Sequence, residues 1–329
     1  DAVAYGVTVD PNNFIYITGS FTGNMDSDPN AGTSLLTSAG GTDIFLIRLS
    51  ASAVWSYSTR FGSTGDDVGL SVCANAGAFA LTGTITGVVD FDPGAGVANI
   101  GIINLTQGFI ARYVPGVFYT FAHTLGISAN ASEMDVSGNI YTTGVGFTAG
   151  SNDAFVKKFG PTGTVTWTKY LGGASGDGGF GIATDVAGNV YTTGFFSGTA
   201  DFDPDAGVVS ITSGGSNDIY VSKLDTNGSY VWAVGFSGTG DDRGVTIDTD
   251  PDGNVYTAGY FRSTVDFDPG AGVSNLSSSG LTDGMVCKLN ASGQYVWAHK
   301  IGSTGNDAIQ GIRIEQSSKI HLAGYFSGT

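Results

Sequence analysis

Along the whole chain, aromatic and β-branched residues alternate with small or polar ones in short runs, and Gly, Asn, Asp and Ser separate the runs. Alternation with a period of two, interrupted by turn residues every few positions, predicts short β-strands with distinct faces and negligible helix. The pattern also repeats. Gly188-Asn189-Val190-Tyr191 returns as Gly253-Asn254-Val255-Tyr256, Asp201-Phe202-Asp203-Pro204 returns as Asp266-Phe267-Asp268-Pro269, and Trp232 returns as Trp297, each at an offset of 65. Self-similarity at a fixed period marks one supersecondary unit copied several times.

A Thr-Gly or similar small step, read as closing an apolar strand, recurs at Gly19, Gly83, Gly144, Gly194, Gly259 and Gly324, with spacings of 64, 61, 50, 65 and 65. The repeats run at about 1–66, 67–128, 129–177, 178–242 and 243–307, with a partial copy at 308–329. Each full unit reads as four strands, which in the fifth are 245–249, 255–260, 285–289 and 295–301. Gly-Asn steps (Gly138-Asn139, Gly188-Asn189, Gly253-Asn254) join the first two strands. Asp225-Thr226-Asn227-Gly228 or Asn290-Ala291-Ser292-Gly293 joins the last two, and both turn types use residues that accept positive φ. Four-stranded antiparallel meanders repeated around an axis describe an all-β propeller of about six blades in a single domain, 1–329. A parallel β-helix is the rival, but its rungs are shorter and would not place hairpin turns so regularly. Asp1-Ala2 aligns with Asp307-Ala308, and 311–329 supplies two strands of a sixth unit. The expectation is a fragment of a longer protein, with upstream residues, downstream residues or both missing; one economical arrangement pairs the chain's last two strands with two outer strands encoded just before Asp1.

The motifs Gly-Asn-Val-Tyr-Thr-x-Gly, Asp-Phe-Asp-Pro, Asp-x-x-Val-x-Lys-Leu, Val-Trp-Ala and Gly-x-Gly-Asp-Asp resemble the secreted bacterial β-propeller (SBBP) repeats found in surface and secreted proteins of Bacteroidetes-like bacteria. The blade order is similar to that of NHL propellers. The fourth and fifth units match best. The second departs most, with Ala78-Phe79-Ala80 for Asn-Val-Tyr, Phe121 for Trp, and no Gly-Asp-Asp exit. The resemblance implies a propeller fold and a secreted or cell-surface, extracellular bacterial address. It brings no shared catalytic residues.

Charge narrows the partners. With 29 acidic and 13 basic residues the net charge is −16, a field that repels nucleic-acid phosphates and anionic lipid, so neither nucleic acid nor membrane insertion is expected. No apolar run reaches the roughly 18 residues of a spanning helix. Cys73 and Cys287 occupy unrelated repeat positions and read as small buried residues rather than a metal or disulfide framework.

The third repeat is 15 residues shorter than 65, and what it lacks is the Asp-x-Asp-Pro segment: after Phe147 the chain runs through Thr148-Ala149-Gly150-Ser151 to Asn152-Asp153. The blade is complete without that segment, which is therefore an appendage between second and third strands. It carries Asp26 and Asp28, Asp90 and Asp92, Asp201 and Asp203, and Asp266 and Asp268. Two carboxylates two residues apart before a turn suit a hard cation, so these eight are the candidate metal ligands, with calcium the candidate cofactor. The competing reading is that the first Asp hydrogen-bonds its own turn, Pro fixes φ, and Phe91, Phe202 and Phe267 plug between blades.

Asp43 and Arg48, Asp153 and Lys158, Asp218 and Lys223, and Asp283 and Lys288 lie five apart, hence on opposite strand faces, and predict an inter-blade ladder of charge pairs. The exits Asp66-Asp67, Asp241-Asp242 and Asn306-Asp307 predict an acidic cluster near one channel mouth or, alternatively, simple turn stabilisation. Trp55, Trp167, Trp232 and Trp297 predict inter-blade packing, or glycan platforms where exposed. His123, His299 and His321 share no repeat position, and no nucleophile elbow or zinc-protease motif occurs.

The leading functional expectation is a non-enzymatic secreted or cell-surface module for adhesion, assembly or ligand and glycan binding. A propeller lyase or glycosidase using channel-mouth carboxylates is the alternative, and a structural spacer in a large surface protein or filament is another.

Overall fold

The computed structural model describes residues 1–116, 118–148, 151–315 and 317–328. Of the short link expected in the third repeat, Ala149 and Gly150 lie outside the described residues, as does Thr329 of the sixth. Among the described residues every regular element is a strand.

The first repeat forms a four-stranded antiparallel sheet of Ala2–Val9, Ile15–Phe21, Asp43–Leu49 and Trp55–Phe61, hydrogen-bonded in chain order. The second repeats it with Val68–Asn75, Ala78–Thr86, Thr106–Val114 and Phe118–Leu125. In the fourth the strands are Gly178–Thr184, Val190–Asp201, Ser210–Leu224 and Tyr230–Phe236. The fifth has Arg243–Thr249, Val255–Phe261, Asp283–Leu289 and Tyr295–Ile301. These are β-propeller blades. Ala308–Ile314 and Ile320–Tyr325 make a further antiparallel pair. Chain contacts define two compact units, one of residues 1–144 and 157–166 and the other of 145–156 and 167–329. The chain passes between them in the third repeat, within Ile140–Thr148, Ser151–Phe159 and Val165–Gly173.

The recurrent glycine does not close the second strand; it sits within it, opposite a bulge that the first strands of the first, second, fourth and fifth repeats carry at the same place, as between Ala4 and Gly6 or Gly179 and Gly181. A β-carbon on Gly19, Gly83, Gly194 or Gly259 would stand 1.9–2.0 Å from a first-strand carbonyl oxygen. Only glycine fits beneath a bulged strand whose carbonyl is turned inward.

Aromatic rings fill the space from one blade to the next. In the first unit Phe61 of the outermost strand stacks on Phe91 and Tyr113 of the following blade at 5.4 Å, and Phe79 and Phe109 complete the cluster. In the second unit Phe236 meets Phe267 at 5.4 Å beside Phe261 and Met285. Two of the tryptophans pack between blades as expected: the Trp232 indole donates to the Ala291 carbonyl and lies under Gly293, and Trp167 does the same with Thr226 and Gly228. All four tryptophans are half-buried.

Candidate functional site

The appended segments hold the eight aspartates singled out in the sequence. Short strands Asn24–Asp26 with Leu35–Thr37, Val89–Asp90 with Asn99–Ile100, and Thr264–Asp266 with Asn275–Ser277 project between second and third strands. In the fourth repeat the same hairpin continues the two long strands. Each loop has one geometry. Oδ1 of the first aspartate accepts from the amides two and eight residues on: Asp28 and Ser34 for Asp26, Asp92 and Ala98 for Asp90, Asp203 and Val209 for Asp201, Asp268 and Ser274 for Asp266, at 2.7–3.1 Å. Oδ1 of the second aspartate accepts from the amide two further on, as Asp203 does from Asp205 and Asp268 from Gly270. Its Oδ2 lies over a glycine, Gly32, Gly96, Gly207 or Gly272, where a β-carbon would come within 2.0–2.2 Å of it. That glycine is what lets the carboxylate fold back into the loop.

The structure thus brings together the two aspartates of each loop. Among the described residues no group of three His, Cys, Asp or Glu is placed to hold a metal ion. Phe91, Phe202 and Phe267, between the paired aspartates, are fully buried, while Val97, Val208 and Val273 stand about three-quarters exposed on the loops.

The charge ladder is not formed as expected. Asp43 pairs with Arg60 and Asp283 with Lys300, 3.3 Å away, each on the fourth strand of its own blade. The bases five residues on turn to the other face and lie over rings on or just before the second strand: Arg48 is 3.5 Å from the Phe14 centroid, Lys223 4.9 Å from Tyr191 and Lys288 4.8 Å from Tyr256. Lys288 is anchored by an aspartate that the sequence reading passed over. Asp250 accepts from the Asp252 and Asn254 amides, the Asn254 side chain and the Tyr256 hydroxyl, with Lys288 Nζ at 3.5 Å. Asp135 and Asp185 do the same around Asn139 and Tyr141, and Asn189 and Tyr191. Asp10 keeps the amide and tyrosine bonds with Tyr16. The available signal was Asp-x-x-Gly-Asn-x-Tyr in three copies. Burial raises the Asp250 pKa, but the Asn254, Tyr256 and Lys288 partners outweigh it and hold the carboxyl below its ordinary value.

The exit aspartates divide. Asp66 and Asp241 are partly exposed and bind Thr42 and Asn217, whereas Asp67, Asp242 and Asp307 are buried. Asp67 accepts from Ser63 and Thr86 amides, and Asp307 from those of Ser303 and Ser327. Asp177 is the same residue in the third exit, bound by Gly173 and Ser197. They close turns from within.

In the first unit a groove of about 460 Å³ opens beside the second repeat's appended loop, lined by Tyr57, Ser58, Thr59, Asp92, Phe118 and Tyr119 among others. Phe118 is 68% exposed. Two half-buried tyrosines, an exposed phenylalanine, hydroxyls and a carboxylate give it flat apolar surface with hydrogen-bonding groups beside it.

A match to a family model agrees with this architecture. Residues 166–194 match the SBBP beta-propeller repeat family; that stretch runs from the outer strand of one blade to Gly194 of the next and includes Trp167, Asp177, Asp185 and Tyr191. The chain is similar to the uncharacterized WD repeat-containing protein L264 of Acanthamoeba polyphaga mimivirus, 23% identical over 187 residues, 50% of this chain and 14% of that protein. It is also similar to the regulatory protein FlaEY of Caulobacter vibrioides, 24% identical over 175 residues, 52% of this chain and 18% of that one. The matches thus span less than a fifth of each relative. Among solved structures, Chaetomium thermophilum Sqt1 aligns over 98% of this chain and 93% of its own with a TM-score of 0.44 and 9% identity. The four-stranded blades give the chain a β-propeller fold, and residues 166–194 match the SBBP repeat within it.

Proposed function

We propose that the chain is a non-enzymatic ligand-binding module of a secreted or cell-surface protein, and that the groove beside the second repeat's loop takes a glycan. One observation carries the reading: the exposed Phe118 ring shares a 460 Å³ groove with Tyr57, Tyr119 and Asp92. Aromatic faces pack on the apolar face of a sugar ring while neighbouring carboxylate and hydroxyl groups bind its hydroxyls. The secreted address rests on the resemblance of the repeats.

Propeller-enzyme chemistry would need a carboxyl pair with separated pKa values within reach of substrate. Asp242 has a raised pKa of about 7, but it is fully buried and donates nothing to the surface.

A glycan array followed by calorimetric titration tests the proposal. We expect at least one oligosaccharide to bind, with affinity lowered about tenfold or more by Phe118→Ala, the loss of about 1.4 kcal/mol, at unchanged thermal stability. Binding to none of the glycans, or equal binding by the variant, refutes it.

A further inference from the structure

Four times in the chain an aspartate on a third strand lies 24 residues before the inner aspartate of an exit: Asp43 and Asp67, Asp153 and Asp177, Asp218 and Asp242, Asp283 and Asp307. All eight side chains are buried. A β-carbon placed on Gly172 would lie 2.5 Å from Asp153 and 2.6 Å from Asp177, and one on Gly302 would lie 2.8 Å from both Asp283 and Asp307, so the two carboxyl groups converge at the end of the fourth strand. In the fourth repeat Ser237 holds that place and its hydroxyl bonds Asp218. The second repeat supplies the contrast. Gln107 stands where the third-strand aspartate should be, and the exit Gly126-Ile127-Ser128 has no acid. Where one carboxyl group is missing, so is the other.

Two buried carboxylates side by side repel each other and need a cation or a proton. Arg60 supplies the charge at Asp43 and Lys300 at Asp283. The equivalent positions elsewhere, two residues before the convergence point, are Tyr170 and Gly235, so the strand offers no base to Asp153 and Asp177 or to Asp218 and Asp242. Asp218 accepts from the Gly214 amide at 2.6 Å, the Gly238 amide at 3.1 Å and Ser237. Asp242 Oδ1 accepts from the Arg262 amide at 2.7 Å, but its Oδ2 is buried without an ordinary donor. The charged neighbour is Asp241, held by Asn217 and Arg243 at the exit, while Arg262 on the next blade contributes its backbone amide.

We infer that Asp218 and Asp242 share one solvent-derived proton in the folded protein, Asp242 Oδ2–H donating to the Asp218 carboxylate, and that this bond fastens the third strand of the fourth repeat to the exit leading into the fifth. Burial first, then the charges of Asp218 and Asp241, push Asp242 up to about 7. The Asp153–Asp177 pair is built alike, with burial the main cause of an Asp177 value of about 6. A raised folded-state pKa gives stability that is complete below the unfolded value of 3.8 and is lost as pH climbs through about 7.

Infrared titration of the whole chain tests the shared proton directly. The wild type should keep a protonated-carboxyl carbonyl band well above the pH at which ordinary aspartates, near about 3.9, have ionised. Asp242→Asn, whose amide can donate to Asp218 as the acid does, should lack the part of that band that titrates near pH 7, and so should Asp218→Asn. Between about pH 4 and 7 the wild-type unfolding constant should rise up to about tenfold more per pH unit than that of Asp242→Asn, the effect of one linked proton. Equal pH slopes, or a wild-type band indistinguishable from that of both variants, overturn the inference. A calcium- or sodium-dependent rise in Tm at pH 8 that Asp242→Asn abolishes would also overturn it, by assigning the pair to a metal cation.

Discussion

At the residue scale the fold depends on carboxylates that satisfy backbone amides. Asp250 gathers two amides, an Asn side chain, a tyrosine and a lysine, so Asp250→Ala should cost about 2–3 kcal/mol at neutral pH, as for buried hydrogen bonds to a charged group. Its depressed pKa makes that contribution one that is present above the ordinary aspartate range and lost as pH falls through the lowered folded value; chemical denaturation at pH 7 and pH 3 checks the sign. Glycines give a second contrast. Gly194→Ala would drive a β-carbon to 1.9 Å from the Gly178 carbonyl, whereas Gly176 has open space around it. The first substitution should cost about 1–3 kcal/mol or more through overpacking and the second less than about 0.5 kcal/mol, measured as shifts in denaturation midpoint. Gly194 was visible in the sequence as a repeat mark, but its reason was not, because the carbonyl it faces belongs to a bulge that no local pattern announces.

At the element scale the appended hairpin is a lid on the preceding blade's outer strand, not a free loop. Gly238 bridges Val265, and Phe267 beside it packs on Phe236. Phe267→Ala should therefore cost about 3–5 kcal/mol, while the double change Asp266→Asn and Asp268→Asn, which weakens only the loop's own caps, should cost about 1–2 kcal/mol. If those caps are the whole role of the aspartates, Tm will be the same in calcium and in chelator at matched ionic strength. A calcium-dependent rise that the double variant loses would assign them to metal, since binding at a hundred times Kd adds about 2.7 kcal/mol. The segment was legible as an appendage because one repeat omits it. The ladder of charges was misread because strand parity tells which residues share a face but not which neighbour that face meets: the fourth strand of the same blade carries Arg60 and Lys300, and the second strand carries the tyrosines.

At the scale of the whole molecule, the blades were readable from period and turn chemistry alone, because every copy restates the same strands. The carboxyl pairs 24 residues apart were written just as regularly, yet they escaped a reading that took each motif within its own turn. Their sum sets the response of the entire chain to pH. Burial is the leading cause of raised values at Asp67, Asp153, Asp177, Asp218, Asp242 and Asp248, against lowered ones at Asp250 and Glu315. Over the window from the ordinary carboxyl values to about 7, the folded chain thus binds more protons than the unfolded one, and stability must fall as pH rises. The net charge of −16 works in the same direction, since compact folding crowds the repelling carboxylates and acid relieves them. We expect Tm to be highest below about pH 6 and to decline toward pH 8, in contrast to the usual optimum between about 5 and 8 that paired surface carboxylates give. Added salt, by shortening the Debye length to about 8 Å at physiological strength, should lessen the part of that decline due to net charge and leave the part due to buried pairs. Scanning calorimetry across pH at low and at physiological salt separates the two; a Tm maximum at or above pH 7 in both would show that the buried carboxyl groups are ionised and compensated in the folded protein.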